Sequence, residues 1–117
     1  MKSVPLELFF HPRTVALIGA SANESKSGGI FLKSFMDAGL KSKLFLVNPK
    51  HEEIKGFKAY ASVLDIPEEI DLAITAIPAS ATPKAVEDCS KKGVKFILIH
   101  ASGFGETDLE GIEIEKI

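Results

Sequence analysis

Four apolar runs, Thr14 to Gly19, Lys43 to Val47, Leu72 to Ile77 and Lys95 to His100, are of strand length, rich in Val, Ile, Leu and Phe, and free of polar alternation. Runs of this kind suit strands buried on both faces, as in a parallel sheet covered by helices on either side. Parallel neighbours need a crossover, and the intervening sequence supplies two helical ones. Ile30, Phe31, Phe35, Met36 and Ala38 keep apolar groups at helical spacing, with Gly39 placed to end the helix. Further on, Thr82 can cap and Pro83 can start a helix carrying Ala85, Val86 and Cys89, which Gly93 closes. The expected fold is a three-layer, Rossmann-like α/β domain with a mainly parallel sheet of about five strands. Its first strand, Thr14 to Gly19, is expected at the centre.

The rest of the chain is less regular. Glu52 to Ile54 reads as a single turn, Phe57 to Tyr60 as a short edge strand, and Ser62 to Leu64 with Ile66 to Glu68 as a short helical piece stopped by Pro67. Thr107 to Ile117 reads as the opening turns of a helix with no strand to receive it, so the chain looks cut. Residues 1–117 are expected to form one domain, of a size that closes a hydrophobic core without staples.

Charge and cysteine content narrow the partners. A formal net charge of −2 gives no basic field of the kind a nucleic-acid binder needs, so nucleic acid is not an expected partner. Cys89 is the only cysteine, which rules out a disulfide within the chain or a cysteine-built zinc site and fits a reducing compartment. No stretch reaches the roughly 18 apolar residues of a membrane span. A cytoplasmic location is the expectation.

In an open parallel sheet ligands bind beyond the carboxyl ends of the strands, so the candidate site lies in the segments just after the four runs. After the first comes a loop from Gly19, Ala20 and Ser21 through Lys26 and Ser27 to Gly28, small and polar and leading into a helix. Backbone amides in such a loop, with the positive end of a helix dipole, favour a phosphate; the structural alternative is a tight strand-to-helix turn. The dinucleotide fingerprint is absent, because Ser21 stands where a second glycine belongs, and no glycine precedes Lys26 as a Walker loop requires.

After the second run come Asn48, Pro49 and Lys50. A NAD site would carry an acid here for the ribose hydroxyls; a lysine suits a phosphorylated ribose, as in CoA or NADP. After the third, Ile77 and Pro78 can wall an adenine ring. After the fourth, Ala101, Ser102 and Gly103 turn the chain sharply away, leaving room for a thiol-bearing arm. His100 lacks an evident carboxylate or cysteine partner in the sequence and reads as structure rather than as a catalytic base. No catalytic residue and no metal ligand is assigned.

Phe9 to Ser21, Val47 to Lys50, Ile54 to Gly56, Ile77 to Ala79 and Ser102 to Phe104 together resemble the N-terminal CoA-binding domain of ADP-forming acetyl-CoA synthetases, relatives of the succinyl-CoA synthetase α subunit. The likeness runs from about Phe9 to Glu110. It implies a domain that binds CoA or acyl-CoA, with the Gly19 to Gly28 loop near the nucleotide phosphates, Lys50 near the ribose phosphate, and Ile77, Pro78 and Ala101 to Gly103 flanking the ligand. The family often has proline and glycine within the first loop, where this chain has Asn23, Glu24 and Ser25, and Glu24 brings a negative charge toward the phosphates. In complete members, catalysis uses a phosphorylated histidine in a following domain and a separate ATP-grasp part. The resemblance therefore implies those parts as partners, within an acid–thiol ligase, and an isolated chain that binds but does not catalyse. Two other readings stay open: an NADP-binding domain of an oxidoreductase, and a regulatory module of the same fold without a ligand.

Overall fold

The computed structural model describes residues 7–38, 43–102 and 112–116. A short helix α1 (Glu7–Phe10) leads into β1 (Thr14–Ile18), followed by α2 (Ser27–Ala38) and β2 (Lys43–Val47). Then come β3 (Glu53–Ile54), β4 (Phe57–Tyr60), β5 (Leu72–Pro78), α3 (Thr82–Lys92), β6 (Phe96–Ser102) and β7 (Ile112–Lys116).

The strands lie in the order β3-β4-β2-β1-β5-β6-β7. Strands β4, β2, β1, β5 and β6 run parallel, and β3 and β7 pair antiparallel at the two edges. β1 is central and buried at every position, as its sequence requires. Its alternate side chains enter different cores. Ala16 and Ile18 pack with Ala85 and Cys89 of α3, whereas Val15 and Leu17 pack with Leu32 of α2. The chain winds from β1 to β2 in one direction across the sheet and from β5 to β6 in the other. Right-handed crossovers that travel in opposite directions deposit their helices on opposite faces. The result is three layers, with a crevice where the winding reverses, between the carboxyl ends of β1 and β5.

The other end of the sheet is closed by charge. Asp71, 1% exposed, accepts hydrogen bonds from the Arg13 backbone N–H (2.8 Å), Arg13 Nε (2.9 Å) and Lys95 Nζ (3.2 Å). Burial alone would raise its pKa, but the Arg13 side chain and backbone and Lys95 outweigh that and hold it at about 2, against an ordinary 3.8.

Several expectations are corrected. Glu53 and Ile54 form a strand rather than a turn: Lys55 and Gly56 both take positive φ (51° and 86°), the conformation of a two-residue hairpin turn, so β3 folds back on β4. β4 is thereby covered and is not the edge. Thr82 does not cap α3; it is already helical, and its hydroxyl donates to the Pro78 carbonyl at 3.2 Å. The 3-10 turn Ala79–Ala81 instead leads into the helix. Residues 112–116 are a strand paired with β6 and not a helix, because Ile-Glu-Ile-Glu-Lys alternates with period two. The remainder of that expected helix, and Gly39, lie outside the described residues.

Candidate functional site

The chain leaves β1 through Gly19, whose N–H donates to the Val47 carbonyl at 3.0 Å, locking the end of β1 to that of β2. Gly19 has φ of +96°, and a Cβ there would overlap the Ala76 carbonyl oxygen of β5. Gly28, in the first turn of α2, packs directly on Gly19: a Cβ on Gly28 would run into the Gly19 carbonyl oxygen. Both residues must be glycine for the helix to begin this close to the strand it follows. The helix therefore aims its first, unsatisfied amides at the crevice.

Between them the loop is braced by its own side chains. Ser21 Oγ accepts from Asn23 N (3.0 Å), and Asn23 Oδ1 accepts from Ser25 N (2.9 Å) and Ser25 Oγ (2.7 Å). Lys26 N donates to the Asn23 carbonyl at 3.0 Å. Glu24 is turned into an ion pair with Lys55 of the hairpin at 2.7 Å, and the Lys55 ammonium holds its carboxyl below the ordinary range. The charge that Glu24 brings to the loop is thus partly offset on the spot.

After β2, Asn48 acts as a clamp. Its Nδ2 donates to the Ala20 carbonyl at 2.9 Å and its Oδ1 accepts from Lys50 N at 2.7 Å, so its side chain ties the two loops together. Pro49 and Lys50 follow, both exposed. Across the crevice stand Ile77 and Pro78 at the end of β5.

These elements enclose an open cleft of about 820 Å³. Gly19, Ala20, Ser21, Lys26, Ser27 and Gly28 line it from the first loop, Asn48, Pro49 and Lys50 from the second, and Ile77 and Pro78 from the third. Its size suits a nucleotide-scale ligand. Two lysines, serine hydroxyls and a helix N-terminus on one wall favour phosphate, and Ile77 with Ala76 offers an apolar surface opposite. Ala101 and Ser102 end β6 one strand further along, in register with Ile77 and Pro78. Gly103 lies outside the described residues.

Ser25, His51, Ala76 and Ala81 also line the cleft and were not among the expected site residues. Nor was an adjoining hollow of about 160 Å³ expected, reached by Ser62, Val63, Lys84 and Asp88. A signal for part of it was present: Lys84, Ala85 and Asp88 stand at i, i+1 and i+4 of α3 and so share one side of that helix. His100 does not join the cleft lining. Its backbone N–H donates to Thr75 Oγ1 at 3.2 Å, and its ring meets Phe31 edge-on at 5.2 Å. Among the described residues no group of His, Cys, Asp and Glu is placed to hold a metal ion. No helix among them is long and apolar enough to cross a membrane.

The family described as "CoA binding domain" matches residues 13–114. The α subunit of acetate–CoA ligase [ADP-forming] I from Pyrococcus furiosus is 44% identical over 115 residues, covering 95% of this chain and 25% of that protein. Acetate–CoA ligase [ADP-forming] I from Archaeoglobus fulgidus is 43% identical over 111 residues, covering 95% of this chain and 16% of that one. Among solved structures, the dinucleotide-forming acetyl-coenzyme A synthetase 1 of Ca. Korarchaeum cryptofilum, in complex with phosphate and ADP, aligns with a TM-score of 0.80 at 37% identity. The alignment covers 85% of this chain and 21% of that chain. The chain thus spans a quarter or less of the length of these relatives.

Proposed function

The chain belongs to the family of CoA-binding domains of ADP-forming acetate–CoA ligases, and on that premise we propose that its cleft holds coenzyme A for a larger ADP-forming acyl-CoA synthetase. The observation that carries this reading is the meeting of two features on one edge of the sheet. A glycine-seated helix N-terminus and the lysine after β2 both line the cleft, so two separated phosphate groups can be met at once. In CoA the pyrophosphate lies against the Gly19 to Gly28 loop, with Lys26 beside it. The 3′-phosphate of the ribose lies against Lys50. Ile77 and Pro78 face the nucleotide from β5, and the pantetheine arm leaves past Ala101, Ser102 and Gly103. Its thiol is then presented to the other parts of the synthetase, a phosphohistidine-bearing domain and an ATP-grasp part, which are the proposed partners. The acid that becomes acylated is selected there.

Calorimetric titration of the chain with CoA tests the reading, with NADPH as the competing ligand. Binding of NADPH without measurable binding of CoA would overturn it in favour of an oxidoreductase domain, and binding of neither would favour a ligand-free module. Lys50 provides the finer test. Lys50→Ala should weaken CoA by roughly ten- to a hundredfold, the scale of one charge-assisted contact of about 1.5–3 kcal/mol. Dephospho-CoA lacks the 3′-phosphate and should bind wild type and Lys50→Ala alike; an equal loss for both ligands would remove Lys50 from the ribose phosphate.

A further inference from the structure

The loop between β1 and α2 carries an acid, Glu24, close to the start of the helix. A Cβ on Gly29 would run into the Asn23 carbonyl and crowd the Glu24 Cα, so this part of the loop lies directly on the first turn of α2. A carboxylate in that place is a natural ligand for the unsatisfied amides of the helix start, the same amides that draw a phosphate. Glu24 does not take that position. Its carboxylate is turned to Lys55 of the β3–β4 hairpin at 2.7 Å, and neither residue is part of the cleft lining, although Ser25 to Gly28 are. Lys33 also faces Glu24 but is itself paired with Asp37 at 2.8 Å.

Lys55 stands where the backbone suits a lysine poorly. Among the described residues it is the only non-glycine with positive φ (51°), at the first position of a two-residue turn that asparagine or glycine fills more readily. Nor does its ion pair add much to stability, because the two side chains are 30% and 49% exposed and surface pairs of this kind stabilise little. What the lysine supplies, and asparagine would not, is a cation that reaches from the hairpin to a loop 31 residues earlier in the chain. A disfavoured backbone conformation that aims a charge at a binding edge points to function rather than to folding.

We propose that Lys55 is a positioning residue for the anion site, drawing the Glu24 carboxylate outward so that the loop's own acid does not compete with the ligand for the first amides of α2. The inference rests on the reading that this loop receives the pyrophosphate of CoA. It makes the β3–β4 hairpin part of the binding apparatus, acting through Glu24 without touching the ligand.

The test is calorimetric titration of CoA into wild type, Lys55→Asn, Lys55→Arg, Glu24→Gln and the Lys55→Asn/Glu24→Gln double variant, with melting temperatures measured alongside. Lys55→Asn completes an Asn-Gly turn, so it should melt at or above the wild-type temperature and yet bind CoA roughly two- to fivefold more weakly, the scale of one charge beside a helix start. A merely structural lysine would move stability and affinity in the same direction. Lys55→Arg keeps the cation and should keep wild-type affinity. Adding Glu24→Gln to Lys55→Asn should restore the lost affinity, and Glu24→Gln alone should bind at least as tightly as wild type. The deficit of Lys55→Asn should also shrink as salt is raised, since it comes from an exposed charge. If wild type binds CoA but Lys55→Asn matches it, or if the double variant recovers nothing, the role of Lys55 is wrong and the CoA reading stands. If wild type does not bind CoA, both fall.

Discussion

Asp71 has no place in the cleft, yet it fixes where the central strand begins. One carboxylate receives the Arg13 backbone, the Arg13 guanidinium and the Lys95 ammonium, and so pins the segment before β1 to the starts of β5 and β6. Its pKa is lowered from 3.8 to about 2 in the folded chain, so the folded state binds this proton less readily than the unfolded one. The stabilisation is therefore fully present above about pH 4 and is lost as pH falls toward 2, amounting to about 2 kcal/mol at 1.36 kcal/mol per pKa unit. Urea unfolding between pH 2 and 6 should show this slope in wild type and a flatter acid limb in Asp71→Asn. The variant should also be less stable at pH 7 by roughly 1–3 kcal/mol, because asparagine keeps one acceptor oxygen but loses the second and the negative charge that the Arg13 guanidinium and the Lys95 ammonium meet. An unchanged acid limb would assign the acid sensitivity elsewhere. The sequence did not single out Asp71, since an acid just before an apolar run looks like any solvated strand end. Only the fold brings Arg13 and Lys95, distant in sequence, around it. That Gly19, Lys26 and Lys50 line the cleft was legible because position after a strand already places a residue on that edge of the sheet. Lys84 and Asp88 were not, because the sequence does not show what their helix face packs over.

At the scale of elements, the seat of α2 on the end of β1 decides the shape of the cleft. With Gly28 on the Gly19 carbonyl, no side chain separates helix from strand, and the N-terminal amides of the helix reach the crevice. Gly28→Ala must displace either the helix or the loop. Overpacking of this kind costs about 1–3 kcal/mol. Both urea stability and CoA affinity should fall together. Ser34→Ala, on the exposed side of the same helix, should change stability by no more than about 0.5 kcal/mol and leave binding intact. A Gly28→Ala protein of wild-type stability and affinity would mean the seat is soft and the amides do not make the site. The parallel strands and both crossovers were legible because buried runs and helical spacing are strong local patterns. The β3–β4 hairpin was not, since it depends on a positive φ at Lys55, a residue type that does not advertise it. β7 was missed for a related reason: glutamates and a lysine favour helix by propensity, while pairing with β6 selects the period-two alternation.

For the whole molecule, the topology gathers the loops after β1, β2 and β5 on one edge and places the charged Asp71 cluster at the other, which separates binding from anchoring. The cleft lining among the described residues combines a loop of small and polar residues at a helix N-terminus, an apolar wall and a clamp, a set suited to holding a nucleotide. The two histidines nearest to any chemistry differ in setting. His51 stands exposed on the cleft, and His100 packs edge-on against Phe31. A phosphorylated histidine needs a neighbour to fix its tautomer and donors to stabilise the transferring group. The donors of the cleft are those assigned to the phosphates of CoA, so they cannot serve a second phosphoryl group at the same time. The chain alone is therefore expected to bind CoA without joining it to an acyl group. Purified chain incubated with CoA and acetyl phosphate, or with CoA, ATP and acetate, should accumulate neither acetyl-CoA nor phosphohistidine above a protein-free control, under conditions where calorimetry shows CoA bound. The separation of binding from chemistry fails if acetyl-CoA forms at a rate that His51→Ala or His100→Ala abolishes while CoA affinity stays at the wild-type value. In that case a histidine of this domain would itself carry the phosphoryl group.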